Sequence, residues 1–461
     1  MSEQETPSST VKTALPKGSI RPTSKGFFSW FKPAPHIARR SETEIKRLYP
    51  RFRWQVFEAA FIAYATFYIV RNNFSPVQKE IGEALHYNKS MIGDILAATA
   101  ISYGIGKFVM GFFSDRSDPR KYLFAGMSLT AALNFAFGGA TNFHTHLLLW
   151  GLNGFVQGMG YAPCTRVLAH WYSVKERGFV FGAWNISHNI GGGIAGVLAA
   201  ESMRHFGWAS AFFIPGVIAT ICAVYLFWRM RDTPQSVGLP SIEEFKNEYP
   251  PEERVHLEKE ISTREIFVNH VLTNKWLWLI AVANFFVYIA RYSMLDWGPT
   301  YLKEVKGASI SNGGFSTMII EFAGAAGMLS MGWLSDRVGG RRGMVSALAM
   351  VPLLAAFGGI ILTPKGMLWL DMTWFGVIGF FVYVPVMMLG VMSLDLTSKK
   401  AVGTAAGFVG LFGYLGRVVQ GKGLGWLAEN YGWNAGLYAT LACTLMAVVL
   451  LAFTWNVRPK G

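Results

Sequence analysis

Only three cysteines, Cys164, Cys222 and Cys443, occur in 461 residues, each inside an apolar run. Neither a disulfide framework nor a thiolate metal site can organise such a chain. Charge is scarce too: 15% of residues are Asp, Glu, Lys or Arg, against 52% hydrophobic. This excludes a disordered or solvating chain. No nucleophile elbow, metal-ligand spacing or strand-led phosphate loop is found, so an enzyme, a nucleotide-driven pump and a bound cofactor or metal are not expected. Acidic residues number 28 against 42 basic ones, a formal charge of +14. The cations collect in the N-terminal segment and in short loops between apolar runs. That is how membrane proteins distribute charge, not a nucleic-acid footprint. What the chain has in quantity is glycine, 50 residues, and apolar runs long enough to cross a bilayer.

Those runs fall near 54–75, 91–114, 122–142, 147–168, 178–200 and 208–229, and again near 276–298, 311–335, 343–363, 369–394, 401–427 and 433–456. The expected architecture is all-α, with twelve transmembrane helices in two six-helix bundles. Residues 1–50 read as a polar tail, 51–231 as the first bundle, 232–272 as a charged linker with Pro234, Pro240, Pro250 and Pro251, and 273–461 as the second bundle. Loops 2–3, 4–5, 8–9 and 10–11 hold Arg116, Arg120, Lys121, Lys175, Arg177, Arg337, Arg341, Arg342, Lys399 and Lys400. The opposite loops hold only Lys79, Lys89, Arg204, Lys303, Lys306 and Lys365. The bias puts the first set, and with an even number of spans both termini, in the cytoplasm.

The halves repeat. GFFSDRSDPRK (Gly111 to Lys121) follows the second span and GWLSDRVGGRR (Gly332 to Arg342) the eighth, with Asp115 and Asp336 221 residues apart. Arg71 and Arg291 end otherwise apolar runs and are separated by 220 residues, so one shift aligns both features. The loops read as gates, in which Asp115, Arg116, Asp336 and Arg337 cap helix ends and pair across one face. Arg71 lies about 26 Å up a helix starting at Trp54, and Arg291 about 23 Å from Trp276, at 1.5 Å per residue. Two cations inside the membrane at matching depth imply one anion site between two halves. The alternative is a purely structural pairing, for instance of Arg291 with Asp296.

These loops and the duplication resemble the major facilitator superfamily. FKPAPHIAR (Phe31 to Arg39), YIVRNNF (Tyr68 to Phe74), WNISHNIGGG (Trp184 to Gly193), MRDTPQSVGLPSIEEFKNEYP (Met230 to Pro250), VYIARYSMLDWGPTYLKEVK (Val287 to Lys306) and GTAAGFVGLFGYLG (Gly403 to Gly416) go further. They are similar to the organophosphate:phosphate antiporters, most of all to bacterial glycerol-3-phosphate transporters. The resemblance runs from about residue 30 to the C-terminus. It implies an inner-membrane protein that exchanges inorganic phosphate for an organic phosphate by rocker-switch alternating access. It also implies that Arg71 and Arg291 are the essential arginines and His188 the central histidine.

Arginine suits a phosphate because its planar fork donates two parallel bonds and keeps its charge when desolvated. Around the pair, His188 reads as a third donor, and Lys107 and Glu321 as mid-span ionisable groups with a role in the site or its gating. Tyr64 and Tyr68 share a helical face with Arg71, as Tyr288 does with Arg291. With Tyr383 and Tyr414 they are candidate cavity hydroxyls. Where the glycerol-3-phosphate transporters have a lysine after the first arginine, this chain has Asn72. Arg417, deep in the eleventh span, could replace that charge and suit a hexose phosphate or phosphoglycerate. A non-transporting sugar-phosphate receptor and a proton-coupled symporter are the rival functions, and a monomer in the bilayer the expected form.

Overall fold

The computed structural model describes residues 30–114, 117–248, 271–396 and 402–457. Among these every regular element is helical, and twelve positions span. They are α1 (Glu42–Ile69), α2 (Lys89–Ser114), α3 (Pro119–Gly139), α4 (in two pieces, Phe143–Gln157 and Tyr161–Trp171), α5 (Val174–Phe206) and α6 (Ser210–Arg229). The second set is α7 (Lys275–Tyr301), α8 (Ile310–Arg337), α9 (Arg342–Leu362), α10 (Leu368–Asp395), α11 (Val402–Asn430) and α12 (Trp433–Ala452). Seven, namely α2, α6, α7, α8, α9, α10 and α12, are long and apolar enough by composition alone to cross a membrane. Large apolar side chains face outward around the body, among them Leu148, Ile221, Trp228, Leu362, Trp369 and Val419, as lipid requires and water would penalise.

One apolar core is built from α1, α3, α4, α5 and α6, and another from α7 to α12. The described part of the connection after α6, residues 230–248, packs on the first half. Val237, Leu239 and Ile242, with a short helix Ile242–Lys246, are buried in the first core. The segment around residues 34–40 docks on it: Ala34 N donates to Asp232 Oδ2 (3.1 Å), Arg40 N to Gly238 O (2.9 Å) and Arg40 Nε to Val237 O (2.9 Å).

Two span boundaries also depart from the apolar pattern. The α4 run is interrupted at 158–160 because Pro163 cannot donate to the Met159 carbonyl, and its ring crowds that residue. Helix α1 begins well before Trp54 and stops at Ile69, with Pro76 beyond. Arg71 therefore lies in a turn past the helix end, whereas Arg291 sits inside unbroken α7. Non-helical backbone at membrane depth needs other hydrogen-bond partners. Val70 O receives them from Asn134 Nδ2 of α3 and Asn153 Nδ2 of α4, both at 3.2 Å. Asn73 Nδ2 in turn donates to Asn134 Oδ1 and Ala211 O, both at 2.9 Å.

Close packing of α5 on α1 depends on Gly191, where an added Cβ would fall onto the Ala65 carbonyl oxygen. Gly191→Ala is therefore expected to destabilise the protein by about 1–3 kcal/mol through forced helix separation. The check is the midpoint of thermal unfolding in detergent; an unchanged midpoint would contradict the contact.

Between the halves, α5 packs on α8 and α2 on α11. Every cross-half ion pair among the described residues lies on the face away from the termini. Lys303 Nζ meets Glu80 Oε2 at 2.5 Å, Lys422 Nζ meets Asp94 Oδ1 at 2.5 Å and Lys89 Nζ meets Glu304 Oε2 at 3.1 Å. That face is closed. Lys107, mid-span on α2, stays exposed, so the space between the halves opens towards the termini.

Candidate functional site

At the level where α1 ends, the halves meet around a small polar pocket. Tyr68, Arg71, Asn72 and Ser75 line it from the first half, and Arg291, Tyr292, Asp296 and Glu321 from the second. Arg71 and Arg291 are 7% and 6% exposed. Neither is in an ion pair among the described residues, and the Nε of each is buried without a hydrogen-bond partner. Their neighbours are aromatic faces. The Arg71 guanidinium lies 3.9 Å from the Tyr68 ring centroid and 4.8 Å from that of Tyr103. The Arg291 guanidinium lies 4.3 Å from Tyr383 and 4.9 Å from Tyr292. Ring quadrupoles stabilise a cation by only about 0.5–2 kcal/mol, far less than desolvation costs. Two buried cations, neither in an ion pair among the described residues, thus face this pocket.

Glu321, fully buried on α8, accepts hydrogen bonds at its Oε2 from Asn189 Nδ2 (2.9 Å) and Tyr383 Oη (2.5 Å) and forms no ion pair with Arg291. Gly192 makes room for it: a Cβ there would be 2.8 Å from Oε1. Asp296 pairs with Arg417 (Nη2 to Oδ1, 3.4 Å), not with Arg291. The structural pairing weighed for Arg291 is thus absent, and Arg417 is engaged by an acid instead of standing free for Asn72.

His188 stands beside Tyr68 (ring centroids 5.2 Å apart) and Tyr383 (6.0 Å). Its Nδ1 bonds the Asn185 carbonyl. A carbonyl only accepts, so Nδ1 carries the hydrogen and Nε2 of the neutral ring is a lone pair. This histidine becomes a second donor only when protonated. Lys107 Nζ lies 4.9 Å from the Tyr161 ring centroid. Tyr64 stacks on Trp184 (4.7 Å), while Tyr288 and Tyr414 meet edge to face at 5.8 Å. Of the expected gate residues, Asp115, Arg116 and the Asp336 side chain lie outside the described residues, and Arg337 stacks on Trp333 of its own helix at 3.8 Å.

Four contributors were missed in the sequence. Tyr103 lies one turn before Lys107 and Tyr292 one turn before Asp296, spacings that mark shared faces. Ser75 Oγ reaches Asp296 Oδ1 (3.4 Å) and Gln78 Nε2 reaches Asp296 O (2.7 Å) across the halves; nothing local distinguishes these two.

A duplicated twelve-span body with a polar pocket between its halves defines a membrane transporter and not an enzyme. The chain belongs to the Major Facilitator Superfamily, whose sequence profile matches residues 60–421. It is 42% identical over 441 residues to the glycerol-3-phosphate transporter of Bacillus subtilis, covering 94% of this chain and 98% of that one. It is 40% identical over 443 residues to a probable hexose phosphate transport protein of Chlamydia trachomatis (94% and 97% covered). The membrane sensor protein UhpC of Escherichia coli is 33% identical over 430 residues (93% and 98%). Among solved structures, an inward-facing, occupied bacterial homolog of the human lysosomal transporter Spinster superposes with TM-score 0.70 at 15% identity, covering 87% of this chain and 97% of that one. That likeness establishes the fold alone.

Proposed function

We propose that this chain imports an organic phosphate across the bacterial inner membrane in exchange for inorganic phosphate, with the anion clasped between Arg71 and Arg291. One observation carries the reading: each half contributes one buried guanidinium to a common cavity, and neither meets a carboxylate among the described residues. A phosphate brings up to two negative charges and several acceptor oxygens, so it satisfies both forks and draws the halves together. Without it the two cations repel and disfavour closure. An empty carrier then cannot return, and transport becomes obligatory exchange. The glycerol-3-phosphate and hexose phosphate relatives support phosphate monoesters as the substrate class. The charge bias of the loops puts the open face, with both termini, in the cytoplasm, and one chain builds the whole cavity, so a monomer suffices.

Similarity to a membrane sensor supports a second reading, in which the same site binds a sugar phosphate and signals without moving it. Liposomes separate the two. Vesicles loaded with phosphate are expected to take up labelled glycerol 3-phosphate, and empty vesicles to take up little, with or without a pH gradient. Binding without uptake would establish a receptor, and uptake driven by the pH gradient alone a symporter.

A further inference from the structure

We infer that the Thr317 hydroxyl is a contact for the organic part of the ligand, selecting phosphate monoesters with a hydroxylated chain over those with a plain alkyl chain. This rests on the phosphate reading above and deepens it. The pocket has two levels. Helix α7 leads towards the closed face and α8 back from it, so Leu295 and Asp296 lie about one turn beyond Arg291 in that direction. Thr317 lies one turn, about 6 Å along the axis, beyond Glu321, and lines the same pocket. The arginine level takes the phosphate, which leaves the outer level to the rest of the molecule.

That outer level offers Leu295 as an aliphatic wall. Asp296 is engaged there, its Oδ1 met by Ser75 Oγ and by Arg417 Nη2, both at 3.4 Å. Thr317 is different: it is 3% exposed, and its Oγ1 has no hydrogen-bond partner among the described residues. A buried hydroxyl on a helix ordinarily bonds a carbonyl three or four residues back. Ser316, next to it, does so with Gly313 O (2.7 Å), as do Ser293 with Ile289 O (2.7 Å) and Thr440 with Gly436 O (2.9 Å). On its other side Thr317 is packed against α5. A Cβ on Gly196 would lie 2.7 Å from Thr317 Cβ and 3.2 Å from its methyl carbon, so the methyl and not the hydroxyl meets that helix. A hydroxyl buried without a partner is unfavourable, and a ligand hydroxyl at this level supplies one. A plain alkyl chain leaves Thr317 unsatisfied, and a site discriminates against a ligand on that account.

The test compares inhibition of phosphate self-exchange by glycerol 3-phosphate and by n-propyl phosphate, which lacks both hydroxyls, in liposomes containing the wild type, Thr317→Val or Thr317→Ser. The wild type is expected to prefer glycerol 3-phosphate by about tenfold or more, the equivalent of about 1.4 kcal/mol. Valine keeps the shape and removes the hydroxyl, so Thr317→Val is expected to bring the two inhibition constants within about threefold of each other. Serine keeps the hydroxyl, and Thr317→Ser is expected to retain most of the preference. A defect of folding or turnover alone would leave the ratio where it was. A wild type without the preference, or a Thr317→Val ratio like that of the wild type, overturns the inference. A serine variant indistinguishable from the valine one assigns the preference to the methyl contact and overturns it too. If Thr317→Val folds without exchanging, the ratio is read from ligand-dependent thermal stabilisation of the purified protein, with the same criterion. If it does not fold, Thr317→Ala, which removes the hydroxyl without adding bulk, takes its place. A wild type that neither exchanges nor binds phosphate defeats the underlying reading instead.

Discussion

Arg71→Lys and Arg291→Lys are each expected to cut phosphate self-exchange by about 100-fold while leaving a folded, membrane-inserted protein. The reasoning separates charge from geometry. Lysine keeps the positive charge, so the cavity's potential is nearly unchanged. It loses the planar pair of N–H groups, and its compact ammonium must be desolvated at greater cost. A charge-assisted hydrogen bond is worth about 1.5–3 kcal/mol, and 1.4 kcal/mol is a factor of ten, so one lost fork accounts for an effect of this size. Arg71 rests on two aromatic faces and Arg291 on three, and neither is in an ion pair among the described residues. The unfolding midpoint should therefore move little. Initial rates of labelled phosphate exchange, with the thermal midpoint of the same preparations, check both halves of the statement. Near-normal exchange by either variant would remove that arginine from the site.

Reversing the charge of Lys303 is expected to be nearly as damaging, by a different route. Lys303, 8% exposed in the π-helical turn Leu302–Lys306 that follows α7, donates to Pro76 O (2.8 Å) and to both oxygens of Glu80 (2.7 and 2.5 Å), crossing to the first half. Removing one member of a buried pair costs about 3–5 kcal/mol, and Lys303→Glu adds repulsion from Glu80. Both terms act only when the face away from the termini is closed, so the equilibrium shifts towards opening there. Exchange should fall to a few per cent, a change of about 2 kcal/mol. An impermeant maleimide should label a Ser75→Cys reporter that is protected in the parent. The swap Lys303→Glu/Glu80→Lys is expected to restore protection in part. A swap no better than the single change would show that the damage lies in local packing and not in closure.

How much of this was legible beforehand depended on whether the information is periodic or relational. Twelve apolar runs, the six-and-six division and the 220-residue shift between Arg71 and Arg291 are linear properties, and the family followed from them and from motifs such as VYIARYSMLDWGPTYLKEVK. The end of α1 was harder. An apolar run from Ala59 to Val70 reads as helix to its last residue, and the amides that make a turn affordable there, Asn134 and Asn153, come from two other helices. The pairing of Asp296 with Arg417 was illegible for a similar reason. Arg291 is five residues from Asp296 and Arg417 is 121 away, and only the packing of α7 on α11 selects the distant partner. Tyr103 and Tyr292 were legible by helical spacing and were passed over because the arginines drew attention first.

The turn after Ile69 carries more than one cation. Within six residues it presents Arg71 to the cavity, Ser75 to Asp296 and the Pro76 carbonyl to the Lys303 ammonium. If the proposed site holds, ligand contact and closure of the far face share a single short peptide, and no relay through a rotating helix is needed to connect them. A few torsion angles suffice, held by borrowed amide donors and free of the helical ladder that would otherwise stiffen them.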